Sequence, residues 1–326
     1  MNIPKFQYII IFLLIFSCQK DRIENDYNNS SPDLISAVDI SYYPSILENG
    51  PLFYNSNGDQ TSFLNSLIQN GVNTIRLRLW VNPSNSSSSF DEVKQFSNQL
   101  KSLGFKIWIT PHFSDTWAHP GQQEMPEEWE SLSFEELKNT VFTYTNQIMN
   151  EIAPDYIQIG NEINTGILFP HGNIENNFNQ FLQIINQGVS AVRSNSNRTK
   201  IILHCAGFET SQWFFNLVND VDYDIIGISY YPIWHGKSLD ELQSKLNALS
   251  DNYEKEILIA ETAYPFTLGW NDWTNNIVGL EEQLILPDYP ATPTGQKNFV
   301  KDLKNLVFEI NNLSLIHISE PTRPLE

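Results

Sequence analysis

Two glutamates close runs of β-forming residues: Tyr156-Ile-Gln-Ile-Gly-Asn-Glu162 and Glu256-Ile-Leu-Ile-Ala-Glu261-Thr-Ala-Tyr-Pro265. A carboxylate at the end of an otherwise apolar strand costs folding free energy unless it is paired or used. Glycoside hydrolysis needs two such groups on rigid elements, one to protonate the leaving oxygen and one to attack or to activate water. A single strand-end Glu is most often a surface residue or half of an ion pair. Asn161 beside the first glutamate and Tyr264-Pro265 behind the second, together with the pattern below, favour chemistry at Glu162 and Glu261.

The elements that must hold these residues alternate along the chain. Strands are predicted at Leu34 to Ile40, Asn73 to Leu79, Phe105 to Thr110, Tyr156 to Gly160, Lys200 to Cys205, Asp224 to Ser229 and Glu256 to Ala260. Helical patterns fall near 61–70, 90–103, 133–152, 176–195, 211–219, 238–251 and 294–311, so the sheet should be parallel. Short apolar strands covered by helices, with no Gly-rich loop after the first strand, favour a (β/α)₈ TIM barrel over a dinucleotide fold. In that barrel the active site forms at the C-terminal strand ends, where Asp39, His112, Asn161-Glu162, His204, Tyr230-Tyr231 and Glu261 collect. In the second strand Thr74, Arg76, Arg78 and Trp80 share one face by period 2. Arg78, nearer the strand end, is expected to support the Glu261 carboxylate.

Composition narrows the class of partner. Asp and Glu outnumber Lys and Arg 38 to 19, for a net charge of -19, which repels phosphate backbones and makes nucleic acid an unfavourable partner. Aromatic residues at 13% exceed what a core requires, and exposed aromatic faces suit sugar rings. Lys5 before the apolar run Tyr8 to Phe16 reads as an export signal over residues 1–17. Ile15-Phe16-Ser17-Cys18 resembles a bacterial lipoprotein processing box. Cys18 is then the lipidated residue, residues 18–32 a polar tether, and the protein an exported lipoprotein at the cell surface or in the periplasm, with the bacterial membrane as partner. Cys205 is the only other cysteine, so the mature barrel has no internal disulfide.

Five motifs together resemble a known family. Ser41-Tyr42-Tyr43-Pro44, Asn73-Thr-Ile-Arg-Leu-Arg-Leu-Trp80-Val-Asn-Pro83, His112-Phe-Ser-Asp-Thr-Trp117-Ala-His-Pro-Gly121, Gln158-Ile-Gly-Asn-Glu162 and Glu261-Thr-Ala-Tyr-Pro265 are similar to the arabinogalactan endo-β-1,4-galactanases, glycoside hydrolase family 53. The likeness runs from about residue 34 to 310. It implies a clan-A barrel, a retaining mechanism, Glu162 as acid/base, Glu261 as nucleophile, and the β-1,4-galactan of pectin side chains as substrate. Under that mechanism Asn161 holds the sugar 2-hydroxyl and a hydroxyl at Tyr230 assists Glu261. His112, Asp115, Trp117, His204 and Tyr231 bind substrate or support the nucleophile. No metal or other cofactor is expected, since Asn271, Asp272 and Asn275 in the loop after the seventh strand do not make a clear oxygen cage. Two other readings share these residues: a clan-A glycanase for another β-1,4-linked polysaccharide, and a surface glycan-binding lipoprotein without turnover.

The barrel is expected over 33–311. Residues 312–326, Leu313-Ser-Leu-Ile-His-Ile-Ser-Glu-Pro-Thr-Arg-Pro-Leu-Glu326 among them, do not match the family's last strand. They are expected to be an atypical tail, foreign or read-through in origin, which leaves the eighth strand doubtful or missing.

Overall fold

A computed structural model describes residues 35–55, 57–269, 277–310 and 314–318. The expected signal, Cys18 and its tether lie outside the described residues, as do Asn271, Asp272 and Asn275.

Parallel strands β1 (Ser36–Asp39), β2 (Thr74–Leu79), β3 (Lys106–Pro111), β4 (Tyr156–Gln158), β5 (Lys200–Ala206), β6 (Ile225–Ser229), β7 (Glu256–Glu261) and β8 (Ser314–Ile318) close into a barrel. The predicted strands are all present, within a few residues of their expected bounds. Residues 314–318 supply the eighth strand that the sequence left in doubt. Backbone pairing sets Ser314 against Ile257 and Ile316 against both Ile259 and Ser36, so neither β7 nor β1 is left as an open edge. Parallel pairing needs only backbone groups in an extended run, and this segment supplies them to both neighbours.

Helices α1 (Phe63–Gln69), α2 (Phe90–Ser102), α3 (Phe134–Glu151), α4 (Ile174–Asn195), α5 (Ser211–Leu217), α6 (Leu239–Tyr253) and α7 (Pro293–Phe308) return between the strands. Their starts follow from side-chain caps. Ser89, Ser133, Asn173, Ser238 and Thr292 each accept a backbone N–H of the first turn, and Glu136 completes a capping box with Ser133.

Strand alternation separates two cores. Ile75, Leu77 and Leu79 face outward and pack with Val93, Phe96 and Leu100 of α2 in the large shell between sheet and helices. Ala37, Trp108, Ile202, Leu258 and Ala260 form a smaller plug of their own. The Arg76 guanidinium lies over the Trp108 ring at 5.3 Å, so this plug is the floor of the polar cluster above it.

Candidate active site

The site begins with register. Asp39 of β1 is the cross-strand partner of Arg76 in β2, and Ser229 of β6 is the partner of Glu261 in β7. Arg76, 2% exposed, sends Nη1 to Asp39 Oδ2 at 3.0 Å and Nη2 to Glu261 Oε1 at 2.9 Å. The same Nη2 donates to Asn161 Oδ1 at 2.9 Å, and Nε donates to Thr110 Oγ1 at 3.1 Å. One guanidinium therefore ties β1, β2, β3, β7 and the turn after β4 together. Tyr231 Oη donates to Glu261 Oε2 at 2.9 Å, so both oxygens of this carboxylate are held.

Glu162 sits in a different setting. The chain turns sharply after β4: Gly160 has φ +78°, and a Cβ there would stand 2.5 Å from Ile163 Cγ2, so only glycine fits. Glu162 itself is left-handed at φ 48°, ψ 55°, a conformation that costs roughly 1 to 2 kcal/mol for a side-chain-bearing residue. The buried Gln123 Nε2 donates to the Asn161 carbonyl at 2.8 Å, and Asn161 Nδ2 donates to the Ala118 carbonyl at 2.9 Å. These bonds hold the turn so that the Glu162 side chain enters the barrel mouth, 8% exposed.

There it meets a ring of hydrogen bonds. The Glu162 backbone N–H donates to His204 Nδ1 at 3.3 Å, so that nitrogen is the acceptor and the ring proton is on Nε2. His204 Nε2 donates to Ser229 Oγ at 2.8 Å, and Ser229 Oγ donates to Glu162 Oε1 at 2.6 Å. Complete burial first, and then the Arg76 charge, push the His204 protonation range well below the ordinary histidine value, which keeps the ring neutral. Because Ser229 is opposite Glu261 on the sheet and bonded to Glu162, the two carboxylates flank one residue.

Several sequence expectations change place. Arg76, not Arg78, supports Glu261: the β1–β2 register sets Arg76 level with Asp39, while Arg78 lies one step nearer the mouth, over the rings of Trp117, Trp80 and Tyr42 at 4.1, 4.3 and 4.4 Å. Tyr231, not Tyr230, reaches the nucleophile candidate. Tyr230 is fully buried, donates to the Gly236 carbonyl at 3.0 Å and packs against Phe208 and Phe299. His112 is buried, with Nδ1 accepting from Ala118 N at 3.0 Å, and burial followed by the Arg78 and Arg76 charges keeps it neutral. Asp115 clasps two loops, accepting from Asn82 N at 2.8 Å and Glu127 N at 3.0 Å. Asp115 and Trp117 also line an open cleft of about 920 Å³ beside the site, with Tyr42 and Trp80. Sequence reasoning passed over Ser229, Gln123 and Gln158, whose Nε2 donates to Asn161 Oδ1 and His204 Nδ1, both at 3.0 Å. Ser229 alone carried a usable signal, as the last residue of a predicted strand.

The profile of glycosyl hydrolase family 53 matches residues 35–318, which takes in every strand of this barrel. The chain belongs to that family. An arabinogalactan endo-beta-1,4-galactanase of Cellvibrio japonicus is 30% identical over 306 residues, 89% of this chain and 80% of that protein. An endo-beta-1,4-galactanase of Bacillus subtilis is also 30% identical over 306 residues, 88% of this chain and 70% of that protein. Among solved structures, the Ignisphaera aggregans GH53 catalytic domain has a TM-score of 0.82 at 35% identity, covering 88% of this chain and 84% of its own. The (β/α)₈ barrel is thus the fold of the family as well as of this chain, and the chain is a glycoside hydrolase.

Proposed function

We propose that this family 53 hydrolase cleaves β-1,4-galactan within the chain and with retention of configuration, Glu162 serving as acid/base and Glu261 as nucleophile. The substrate reading rests on the galactanase relatives at 30% identity. The mechanism rests on one observation above the rest: two strand-end carboxylates flank Ser229, one ion-paired and one bonded to a neutral hydroxyl.

Glu261, paired with Arg76 and oriented by Tyr231, attacks the anomeric carbon. With Ser229 donating to Glu162 Oε1, the acid proton resides on Oε2 and passes to the leaving oxygen. Once the glycosyl ester has formed, the Glu261 charge is gone, and Glu162 takes a proton from water as that water attacks. Asn161, whose Oδ1 is held by Arg76, is the proposed partner of the 2-hydroxyl of the sugar at the centre. The galactan of pectin side chains is the proposed natural source of substrate. Lys5, the apolar run 8–16 and Ser17-Cys18 support export and a lipid on Cys18 as the membrane anchor.

Incubating the protein separately with unbranched β-1,4-galactan, β-1,4-mannan and xylan tests the substrate. Galactooligosaccharides of several lengths should appear early from galactan alone. Release from mannan or xylan at a comparable rate would count against the assignment.

A further inference from the structure

The hydrogen bonds behind Glu162 could run in either of two directions. In the first, His204 Nδ1 accepts, Nε2 donates to Ser229, and the Ser229 proton lies toward Glu162 Oε1. In the second, Nδ1 carries the proton and donates to Asn161 Oδ1, 3.3 Å away. Nε2 then accepts from Ser229, and Ser229 Oγ accepts from a protonated Glu162 Oε1. Both directions hold the same number of protons: one on the imidazole, one on Ser229 and one on the acid. They differ in which Glu162 oxygen carries the acid proton. It is Oε2 in the first and Oε1, turned back toward Ser229, in the second. The Glu162 backbone N–H favours the first, but its 3.3 Å contact with Nδ1 is no shorter than the Asn161 contact that favours the second.

The closer donor is Gln158. It is fully buried and shares the inward face of β4 with Tyr156, while Ile157 packs outward in the large shell. Register sets it level with Ile202 of β5, one inward position below His204. Gln158 Nε2 lies 2.9 Å from the Gly160 carbonyl oxygen, 3.0 Å from Asn161 Oδ1 and 3.0 Å from His204 Nδ1. The amide cannot be turned over, because its first two partners only accept. A carbonyl has no proton to give, and Asn161 Oδ1 takes the Arg76 Nη2 proton while Asn161 Nδ2 is occupied by the Ala118 carbonyl. An N–H is therefore presented to His204 Nδ1, which must be the bare nitrogen. Gln158 Oε1, on the other side of the same amide, has no hydrogen-bond partner among the described residues. A buried acceptor left unpaired is destabilising, and a methionine would fill the space without it, so the amide points to a use beyond stability.

We propose that Gln158 is the positioning residue that sets the direction of this relay: its amide N–H holds His204 as the Nε2–H tautomer, so that Ser229 donates to Glu162 Oε1 and the acid proton is kept on Oε2. The proposal rests on the reading of Glu162 as acid/base. One-way donors lead to it in sequence. Arg76 orients Asn161, Asn161 and the Gly160 carbonyl orient Gln158, and Gln158 orients His204. The guanidinium that pairs with Glu261 thereby also fixes where the proton sits on Glu162.

Nitrogen-15 NMR of the histidine rings reads the tautomer without substrate, with His204 identified among the six histidines by its loss in His204→Gln. In the unaltered protein the His204 proton should be on Nε2, and a coupling across the hydrogen bond should join Gln158 Nε2 to His204 Nδ1. A ring protonated on Nδ1, or the absence of that coupling, would overturn the proposal with no variant needed. In Gln158→Met the Nδ1–H form should become populated, and an unchanged ring would overturn the proposal. The same variant should lose about tenfold in kcat on galactan with little change in KM. Its kcat/KM on an aryl β-galactoside whose leaving group needs no proton should hold within about twofold. Ser229→Ala breaks the same relay nearer to Glu162, so adding Gln158→Met to it should cost no more than about a further twofold. Losses that multiply in the double variant, or that are equal on the two substrates, would show Gln158 serving the fold alone and would overturn the proposal. Failure of the acid/base reading would show elsewhere, as a Glu162→Ala variant that loses equally on both substrates, and the ring tautomer would still decide whether Gln158 sets the direction.

Discussion

Glu261 and Glu162 stand at the ends of β7 and β4, with two strands between them around the barrel, and have the same side chain and opposite surroundings. Glu261 is bound by charge, through an arginine that it shares with Asp39, and by the Tyr231 hydroxyl. Glu162 is bound by neutral groups, the Ser229 hydroxyl and behind it an imidazole kept neutral by burial and by Arg76. A cationic partner favours one ionisation state only, which suits a nucleophile that must stay a carboxylate. A hydroxyl can donate to a carboxylate oxygen or, more weakly, to the carbonyl oxygen of the acid, so it discriminates less between the two states than a cation does. That tolerance is what a group acting first as acid and then as base requires. Arg76 also contributes to both sides, pairing with one glutamate directly and adding to the burial that keeps neutral the histidine behind the other.

Changing the charged side should have the largest effect. Glu261→Ala removes the proposed nucleophile, and turnover on galactan should fall by on the order of 10⁵-fold, measured as reducing-sugar release. Near-normal activity would end the assignment. On the neutral side, Glu162→Ala should cost roughly 10² to 10⁴-fold on galactan and far less in the first step with aryl galactosides, whose leaving groups need no proton. Equal losses on both substrates would deny Glu162 the acid role.

Smaller still is the hydroxyl between them. Ser229→Ala removes one hydrogen bond to Glu162, worth about 1.5 kcal/mol, and should lower kcat on galactan about tenfold while sparing activated substrates. A loss shared by both substrate types would show that Ser229 serves the fold and not the acid. The last contrast concerns the pH dependence of stability. His235, whose Nδ1 accepts from the Tyr231 N–H at 3.0 Å, is lowered to about 4 by burial, so between the ordinary histidine range and that value the unfolded chain takes up a proton that the native state refuses. This contribution is complete above about pH 6.5 and is lost as pH falls toward 4. His235→Asn should therefore reduce the acid loss of stability by roughly 1 to 3 kcal/mol in denaturant titrations at pH 7 and pH 4.5. An unchanged difference would refute it.

The strands, the helices and both glutamates were legible because each rests on local signals: apolar runs, capping residues and a carboxylate at a strand end. The partners of those carboxylates were not. Alternation puts Arg76 and Arg78 on one face but says nothing of depth, and only the pairing of Asp39 with Arg76 shows which guanidinium is level with Glu261. Tyr230 and Tyr231 were exchanged because Tyr230 was taken from the family resemblance, whereas alternation from the inward-facing Ser229 sets Tyr231 toward the mouth and Tyr230 into the outer shell. Ser229, on that same inward face, was overlooked. The eighth strand was doubted on its residue types, whereas closure depends on backbone pairing that many sequences satisfy, and the family profile itself extends to residue 318.

The division of labour between the two carboxylates is tested most directly by azide rescue of Glu162→Ala and Glu261→Ala on an aryl β-galactoside, with the anomeric form of the galactosyl azide read by NMR. In Glu162→Ala the Glu261 ester still forms and azide attacks it, giving the β-azide. In Glu261→Ala azide enters directly from the opposite face, giving the α-azide. β-Azide from the Glu261 variant, or α-azide from the Glu162 variant, would contradict the account.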